Sequence, residues 1–494
     1  MTHLILNEKG NEVTLLEYYK KTFIFYSHLI YLLVINNFTS DEFRYKYLCY
    51  MLQLGGPIFI KIGQNIANKK DIDPILKRNL IKLQQNNYYE ETKDPKTLEI
   101  KYGLDSINEK PIASGSIATI FKGVYKKKEC IIKATHNDIV KNTIISINLF
   151  EGLRNRLIGN NLLSGFNQLV ELKQIYKEVM DQSDLRNEVN NLKTIKNNFS
   201  NKSFSNLIIF PEIYHYDKDV IIESYEYGYD IFDFIKKYPD HKEEASHLIH
   251  CIFYKMFFDN CIHADMHFSN VRFRYEDSKV KVVLYDFGLV SRIDSQDDYK
   301  MFINVYKKNM FIPDKSKFID MLINLNINKD ADLEKFSNDC QEFINESKMD
   351  NLLENLNEGT YNKEKDYNSS VSDIIQKGLD LALSNNLKIN DYVFNICNGF
   401  ILLDDYNVQI SDNNSLLKQR LTYAKENGFI EDMKKNASNI FNKKKEDKNL
   451  NNSHNYSKEN ICSLKEKINI INKKKDKDNI IDNKIETVKT SIYA

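Results

Sequence analysis

Two short segments in the middle of the chain combine carboxylates, an amide and histidines at spacings that could do chemistry. The first, HADMHFSN at His263–Asn270, contains Asp265 and, five residues later, Asn270. The second, YDFG at Tyr285–Gly288, contains Asp286. Transfer of a γ-phosphoryl group needs a carboxylate that orients the attacking hydroxyl, and oxygen ligands that hold Mg²⁺ across the phosphates. The pattern therefore predicts Asp265 as the catalytic carboxylate, with Asn270 and Asp286 as Mg²⁺ ligands.

Two alternative interpretations of these segments stay open. The triplet D-F-G is common, and an aspartate after a histidine is more often structural than catalytic. His263, Asp265 and His267 could instead ligate zinc in a metallohydrolase. The phosphoryl-transfer interpretation is favoured, because no further histidine and carboxylate cluster completes a zinc site and the pair Asn270 and Asp286 would be unexplained.

The sequence between the two segments predicts a β-hairpin. Val271–Tyr275 and Val280–Tyr285 alternate apolar and polar residues, and Glu276-Asp277-Ser278-Lys279 separates them. The order of catalytic loop, hairpin and D-F-G is the one that a kinase C-lobe requires.

A site of this kind predicts a small-residue loop and a strand lysine earlier in the chain. The strand Thr119–Tyr125 follows a run of small residues whose backbone amides can approach phosphates closely. After a turn, Cys130–Lys133 is predicted to form the next strand. A charged lysine at the end of an apolar strand is unfavourable unless it has a function. We therefore predict Lys133 as a catalytic residue that binds the α- and β-phosphates. The predicted nucleotide-binding loop residues are Ala113, Ser114, Gly115 and Ser116.

Glu188 is the candidate partner of Lys133. It lies in a helical pattern that starts near Leu169, and Asp184 stands one turn before it. Such an i,i+4 pair would place both carboxylates on one helix face, where they address Lys133 and a second basic group. An ordinary polar helix face is the alternative in a chain of which 28% is charged.

The chain resembles the UbiB/ADCK family of atypical protein-kinase-like proteins, and a segment ahead of the loop carries the resemblance most specifically. Leu54–Gln64, LGGPIFIKIGQ, matches the KxGQ signature of that family with Lys61 and Gln64. Asp71–Gln84 matches its continuation toward a leucine-glutamine pair. The small-residue loop is similar to the alanine-rich loop of the family, and HADMHFSN is similar to its HAD-type catalytic loop. The resemblance runs from about Leu54 to about Leu421.

The resemblance implies an α+β, bilobal protein-kinase-like fold that uses ATP and Mg²⁺. It implies that Lys61 and Gln64 lie on a helix over the active site, near an acidic helix motif that includes Asp184. Lys133 and Glu188 would form the ion pair of the N-lobe. Because the helix would partly close the groove for protein substrates, ATP hydrolysis or phosphorylation of a small molecule is favoured. A lipid-related acceptor and a protein hydroxyl stay open.

Two departures from the family pattern bear on this expectation. Gly115 makes the loop similar to ordinary kinase loops and leaves the preference between ATP and ADP open. Gln182 stands at the first acidic position of the helix motif, so its contact with the KxGQ helix is expected to be weaker. An ordinary serine/threonine protein kinase is therefore one alternative. A nucleotide-gated protein that binds a membrane or a partner with little turnover is another.

Composition, periodicity and the family resemblance together predict four parts of the chain. Residues 1–100 form an N-terminal helical extension with the KxGQ motif, and residues 101–228 form a kinase-like N-lobe with a family insert. Residues 229–433 form a helical C-lobe, in which Lys315–Leu325, Leu333–Ile344 and Ser369–Leu383 show helical spacing. Residues 434–494 are rich in Lys and Asn and are predicted to be disordered. Lys+Arg and Asp+Glu balance at 69 each, so no basic field indicates nucleic acid as a partner.

The N-terminal sequence bears on location. Phe23–Phe38 is strongly apolar but shorter than the roughly 20 residues that span a bilayer, which indicates a buried or interfacial helix. Glu8, Glu12 and Glu17 occur with no arginine before Arg44, unlike an arginine-rich, acid-poor transit peptide. We therefore expect no transit peptide, signal peptide or membrane span, and a cytoplasmic or peripheral membrane protein.

Overall fold

The computed structural model describes residues 13–35, 38–67, 72–84, 92–157, 172–201, 203–266, 270–301, 303, 315–326, 328, 331–346, 371–388, 392–393, 395–399, 401, 425–426 and 428–431. Met1–Ala437 forms the first compact unit of the chain. All the elements below belong to the first unit. The tail predicted to be disordered at residues 434–494 lies outside the described residues.

The described N-terminal part of the chain is helical, as predicted. Ser40, Asp73 and Asp94 cap three of its helices, because each side chain accepts a backbone N–H of the first turn. The apolar stretch that begins at Phe23 lies on the first helix. The helices are α1 (Leu15–Ile35), α2 (Asp41–Gly55), α3 (Pro57–Ala67), α4 (Pro74–Ile81) and α5 (Pro95–Tyr102).

An antiparallel sheet forms the core of the N-lobe. Its order is β1-β3-β4-β7-β6, with β2 added to β3. The strands are β1 (Ser106–Ile107), β2 (Ala113–Ser114), β3 (Ala118–Tyr125), β4 (Lys128–Thr135), β6 (Ile213–Tyr216) and β7 (Val220–Ser224), while β5 (Ile208–Ile209) joins a second sheet. Three helices lie between β4 and β5 in the described chain, namely α6 (Ile139–Leu157), α7 (Leu172–Gln182) and α8 (Leu185–Asn198).

Helix α3 is buried among its neighbours, and two features allow this. Gly63 leaves room for α4 and the turn after it, since a Cβ there would lie 2.7 Å from Leu83 Cδ1. Ser146 of α6 fixes the turn between α2 and α3. Its hydroxyl donates to the carbonyl of Gly55 at 2.6 Å and accepts from the amide of Ile58 at 3.2 Å. The KxGQ helix is therefore held against α6 of the N-lobe.

The C-lobe combines helices with short strands. Strand β10 pairs with β9 in antiparallel and with β5 in parallel orientation, and β8 pairs with β11. The segments Lys315–Asn324, Leu333–Glu346 and Val371–Ser384 are helical, as their spacing predicts. The elements are α9 (Ile231–Lys237), α10 (Lys242–Phe258), β8 (Ile262–His263), β9 (Val271–Glu276), β10 (Lys279–Leu284), β11 (Val290–Ser291), α11 (Lys315–Asn324), α12 (Leu333–Glu346) and α13 (Val371–Ser384).

Both hairpins predicted from the sequence are confirmed. The β3–β4 turn has positive φ at Lys126 (49°) and Lys127 (63°), and the β9–β10 turn has positive φ at Asp277 (54°) and Ser278 (58°). Two successive left-handed residues define the turn whose twist matches that of the flanking strands. A sheet-based lobe followed by a largely helical lobe confirms the expected α+β, bilobal architecture.

Candidate active site

Lys133 stands at the centre of the candidate site. Its Nζ lies 2.8 Å from the carboxylate of Glu188 on α8 and 3.0 Å from Oδ1 of Asp286 in the D-F-G segment. The Lys133 and Glu188 side chains are 13% and 10% exposed, whereas that of Asp286 is 42% exposed. The structure therefore joins three residues from distant parts of the sequence, and the Asp286 carboxylate is the one that solvent can reach.

The charges of these three groups depend on one another. Burial opposes the charge of Lys133, but Asp286 and Glu188 outweigh it and raise the pKa of the lysine. Burial also opposes the charge of Asp286, and Lys133 outweighs it, so the pKa of this carboxyl falls below its usual range. For Glu188 burial prevails over the attraction of Lys133 and raises the pKa to about 7. Lys133 is therefore protonated and Asp286 is ionised at neutral pH.

His263 holds the loop that contains Asp265 to the strand before the D-F-G segment. Its side chain is fully buried, and Nε2 lies 3.0 Å from the carbonyl oxygen of Tyr285. A carbonyl only accepts, so Nε2 carries the proton and donates it. Nδ1 then accepts the backbone N–H of Asp265 at 3.3 Å. One imidazole thus fixes the backbone at Asp265 and at the residue that precedes Asp286.

Asn270 closes the same loop. Its side-chain amide donates to the carbonyl of Asp265 at 2.9 Å, and its own carbonyl accepts the N–H of Tyr285 at 3.0 Å. The pairing of Val271 with Leu284 sets Asn270 beside the start of the D-F-G segment.

The donor set fits Mg²⁺. Asp286 offers a carboxylate, and the side-chain amide of Asn270, whose nitrogen is turned to Asp265, would offer its oxygen to a cation. Carboxylate and amide oxygens are the ligands that Mg²⁺ prefers. We infer that Asp286 and Asn270 would hold the ion.

The D-F-G backbone is fixed by its neighbours. Asp286 adopts the left-handed region with a φ of 53°, and its Oδ1 accepts the amide of Gly288 at 3.2 Å. Asn191 of α8 donates to the carbonyl of Phe287 at 3.0 Å. A Cβ on Gly288 would lie 3.1 Å from Asp286 Oδ1 and 3.4 Å from Gln182 Nε2. A side chain at this position would therefore press on Asp286 and Gln182 and shift them by a few tenths of an ångström.

The small-residue loop emerges beside the strand of Lys133. Ala113 pairs with Ile120, and Ile120 pairs with Lys133 on its other side. Gly115 lies in the turn between β2 and β3, where its N–H donates to the carbonyl of Ala118 at 2.9 Å. The side chains of Ser114 and Ser116 are buried. The loop thus lies where its amides could meet a phosphate next to Lys133.

Helix α3 brings Lys61 to the site but directs Gln64 elsewhere. Burial opposes the charge of Lys61, which is 7% exposed, yet Asp265, followed by Glu178 and Asp286, raises its pKa. The ammonium therefore lies within electrostatic reach of the site carboxylates. The Gln64 side chain instead donates to the carbonyl of Leu83 at 2.7 Å, within the extension.

Asp184 is not on the helix face of Glu188, contrary to the expected i,i+4 pair. It is the residue that caps α8, and its carboxylate accepts the backbone N–H and the guanidinium of Arg186. The capping conformation is non-helical, so the spacing no longer sets the direction of the side chain. Glu178, one turn before Gln182 on α7, is the acidic residue of this region that influences Lys61. Only the packing of α3 on α7 reveals that role.

Glu223 is a second carboxyl that sequence analysis missed. In the β4–β7 register, Lys133 faces Ile221 and Ile131 faces Glu223, so Glu223 and Lys133 share one face of the sheet. Burial, followed by the charge of Glu188, raises the pKa of Glu223 to about 8. No motif marks this glutamate, because its position follows from strand pairing alone.

The zinc alternative finds no support in the described part of the chain. Both ring nitrogens of His263 bind backbone groups. Among the described residues no group of three or more His, Cys, Asp or Glu side chains forms a potential metal cluster. His267, the other proposed imidazole ligand, lies outside the described residues.

Comparison with protein families and curated proteins agrees with this arrangement. Residues 76–321 match the ABC1 atypical kinase-like domain, a segment that contains all the described strands and the site residues from Lys133 to Asp286. The chain is 27% identical over 260 residues to the probable serine/threonine-protein kinase abkC of Dictyostelium discoideum, covering 48% of this chain and 36% of that protein. It is 27% identical over 267 residues to the probable protein kinase UbiB of Cellvibrio japonicus, covering 51% of this chain and 48% of that protein. It is 25% identical over 277 residues to the probable protein kinase UbiB of an Enterobacter species, covering 52% of this chain and 50% of that protein. The chain spans half or less of the length of these relatives.

Two solved structures are also similar over part of the chain. One is a Mycobacterium tuberculosis protein in complex with erythromycin, with a TM-score of 0.36, 14% identity, and coverage of 61% of this chain and 74% of that one. The other is the Rio2 kinase of Chaetomium thermophilum as an ADP/Mg²⁺-phosphoaspartate complex, with a TM-score of 0.24, 12% identity, and coverage of 56% and 82%.

Proposed function

The chain belongs to the UbiB/ADCK family of atypical kinase-like proteins, and on this premise we propose that it binds Mg-ATP and transfers the γ-phosphoryl group to an acceptor or to water. The observation that carries the proposal is the bridge of Lys133 between Glu188 and Asp286. In this bridge the Lys133 ammonium is held in a position to bind phosphates. The solvent-accessible carboxylate of Asp286 lies beside it and is available to bind the metal. The loop that contains Asp265 and Asn270 supplies the other residues that we propose for phosphoryl transfer.

Each residue has a proposed role. The Lys133 ammonium binds the α- and β-phosphates, and Glu188 positions it. Asp286 and Asn270 hold Mg²⁺, which would neutralise charge on the phosphates when bound. Asp265 accepts the proton of the attacking hydroxyl or water. The Ala113–Ser116 loop binds the phosphates through backbone amides other than that of Gly115, which donates to Ala118.

The surroundings of Asp265 favour a small acceptor. Lys61 is buried and lies within electrostatic reach of Asp265, which supports the proposal that α3 narrows the space available to a peptide. Water, a small molecule or a lipid-related head group is therefore favoured over a folded protein, and an ordinary serine/threonine kinase is the less supported alternative.

The test is phosphate release and transfer of labelled γ-phosphoryl from Mg-ATP by the purified full chain, comparing the unaltered protein with Asp265→Asn. Asp277→Asn is a matched control, because it makes the same charge change in the exposed turn at the far end of the β9–β10 hairpin from Asn270. We expect turnover to fall by at least about 1000-fold in Asp265→Asn and to persist in Asp277→Asn. Turnover that is equal in all three proteins would contradict the proposal.

A second candidate is a nucleotide-gated protein that binds a lipid bilayer surface with little turnover. Helix α1 and Phe38, three residues beyond its end, favour it, since Leu16 (79%), Phe23 (75%), Leu33 (67%) and Phe38 (84%) are all largely exposed. Leu33 and Val34 are adjacent and both exposed, so the apolar surface is wider than the single stripe that a protein groove accepts. A fluid interface can cover such a surface. The described helices include none that is both long and apolar enough to cross a bilayer.

Flotation with anionic phospholipid vesicles, with and without Mg-ATP, tests this candidate. The double variant Phe23→Ser/Leu33→Ser should abolish flotation, whereas Leu333→Ser on α12 should not. Nucleotide-dependent flotation without turnover that depends on Asp265 would favour this candidate over the enzyme. Flotation that is equal in both variants and in the unaltered protein would contradict it.

A further inference from the structure

A histidine that no motif singles out lies beneath the small-residue loop. His136 follows the end of β4 and is 1% exposed. Its Nε2 lies 3.0 Å from the carbonyl oxygen of Gly115, and its Nδ1 lies 3.3 Å from Oγ1 of Thr119. Thr119 Oγ1 in turn lies 3.5 Å from Oγ of Ser114. The imidazole thus connects two residues of the loop to the strand that follows it.

The acceptors fix the direction of these hydrogen bonds. The carbonyl of Gly115 only accepts, so Nε2 of His136 carries the proton and Nδ1 accepts. The hydroxyl of Thr119 must then donate to Nδ1, which leaves Thr119 to accept from Ser114. The result is one chain of hydrogen bonds, in which Ser114 donates to Thr119, Thr119 to His136 and His136 to the carbonyl of Gly115.

The charge state of His136 suits this chain. Burial, with a smaller contribution from Lys93, lowers its pKa to about 4, although the carbonyl of Gly115 opposes the shift. A neutral ring keeps one donor and one acceptor, whereas a protonated ring would turn Nδ1 into a second donor. The direction of the chain is therefore preserved at neutral pH.

The backbone around His136 is anchored on both sides. Its own N–H donates to the carbonyl of Ile117 at 2.9 Å. The Lys93 ammonium donates to the carbonyl of Thr135 at 3.1 Å, and the side chain of Asn137 donates to the carbonyl of Thr92 at 3.2 Å. Thr92 and Lys93, which follow the N-terminal extension, therefore hydrogen-bond to the residues on either side of His136. These bonds hold the backbone from which the imidazole extends.

The bond to Gly115 also orients the next amide. In a planar trans peptide the carbonyl and the following N–H point in opposite directions, so a carbonyl turned to His136 directs the N–H of Ser116 away from it. Glycine alone would let this peptide plane rotate at little energetic expense, because no Cβ restricts its dihedral angles. Rotation would present a carbonyl to a phosphate in place of an amide.

We propose that His136 is a positioning residue that locks the Gly115–Ser116 peptide with its amide turned toward the nucleotide phosphates. This inference rests on the proposed function, in which the loop faces those phosphates. It assigns to His136 the task of fixing a loop that Gly115 makes flexible. His136 does not contact the reacting atoms, so its effect should appear in nucleotide affinity.

The experiment uses the full chain with His136→Ala, His136→Gln and the control Tyr102→Phe, which removes a 2.8 Å hydrogen bond to Asp217 elsewhere in the N-lobe. Hydrogen exchange of the peptide that covers Gly115–Ala118 is measured without nucleotide, and KM and kcat are measured for Mg-ATP. In His136→Ala we expect faster exchange, a KM about tenfold higher and kcat within about twofold of the unaltered protein. His136→Gln should recover most of the affinity, because its amide nitrogen can donate to the carbonyl of Gly115.

Each outcome decides the proposal. Unchanged exchange and KM in His136→Ala, with thermal stability lowered as in Tyr102→Phe, would show a merely structural histidine and overturn it. Faster exchange with unchanged KM would show the tether but overturn its role for the nucleotide. If the unaltered protein neither binds nor turns over Mg-ATP, the proposed function fails, and the exchange measurement still reports separately whether His136 holds the loop.

Discussion

The two loops of the candidate site are held in the same way but with different partners. In each, a buried histidine donates from Nε2 to a backbone carbonyl at 3.0 Å, His136 to Gly115 in the N-lobe and His263 to Tyr285 in the C-lobe. The Nδ1 of His263 accepts a backbone N–H, whereas the Nδ1 of His136 accepts a threonine hydroxyl. His263 thus fixes the loop of Asp265 through main-chain groups, whereas His136 fixes the loop of Gly115 through side chains as well.

This difference matches the proposed tasks of the loops. Backbone groups are present whatever side chains a loop carries. The hydrogen bond from the N–H of residue 265 to His263 therefore does not depend on which residue occupies position 265. The N-lobe loop contains a glycine and depends on particular hydroxyls, so single substitutions should loosen it. Precise placement of a catalytic carboxylate tolerates less displacement than a set of amides that bind a phosphate.

The largest expected effect comes from breaking the C-lobe histidine. His263→Ala should lower kcat for Mg-ATP by at least about 100-fold, because both Asp265 and the segment before Asp286 lose their anchor. His263→Asn, which can imitate the Nδ1 acceptor, and His263→Gln, which can imitate the Nε2 donor, should each retain part of the activity. Steady-state kinetics check this. A decrease in kcat no larger than that of His136→Ala would contradict the difference between the loops.

The next effect concerns acid stability. The folded pKa of His136 is about 4, below the ordinary 6.5, so the unfolded state binds more protons between these values and stability falls as pH falls through that range. The full shift corresponds to about 3 kcal/mol. His136→Gln removes this titration. The free energy of unfolding, measured with denaturant at pH 7 and pH 4.5, should therefore decrease less in His136→Gln; an equal decrease would contradict a buried, neutral His136.

A smaller effect should follow from removing one hydroxyl of the side-chain network. Thr119→Val keeps the β-branched shape but leaves Nδ1 of His136 without the threonine donor, which should lower the free energy of unfolding by about 1 to 2 kcal/mol. Thr143→Val, which removes a 2.7 Å hydrogen bond within α6, is the matched control. Only Thr119→Val should speed hydrogen exchange at Gly115. Equal exchange in both variants would show that the hydroxyl does not support the loop.

The smallest effect compares the hairpins behind the two loops. Lys127→Gly and Ser278→Gly each place glycine at a φ near 60°, where a side chain is strained, and should raise the free energy of unfolding by about 0.5 to 1 kcal/mol. Lys122→Gly, within strand β3, should lower it. Thermal denaturation checks the signs. A loss of stability in both turn variants would contradict the turn conformation assigned here.

Much of this site follows from local sequence. Alternation around short polar turns predicts the β3–β4 and β9–β10 hairpins, because strand pairing across a two-residue turn depends on neighbouring residues. The family resemblance implies the pairing of Lys133 with Glu188, and the structure contains it. The roles assigned to Asp265, Asn270 and Asp286 stay predictions that kinetics must test.

The expectations that differ from the structure depend on side-chain direction. Helical spacing places Asp184 on the face of Glu188, but a capping residue has left the helical conformation, so that spacing no longer applies. The resemblance places Gln64 near the acidic motif, yet its side chain binds Leu83, because the packing of α3 against α4 decides which way it turns.

The sequence by itself determined the kinase-like order of motifs, the hairpins and the family, because these depend on residue type and on spacing along the chain. The tertiary structure decided which groups meet where neither a motif nor the resemblance predicts a contact. His136 reaches Gly115 over 21 residues, and Lys133 reaches Asp286 over 153. Such contacts are set by how strands pair and helices pack, which bring together residues that carry no mark of each other in the sequence.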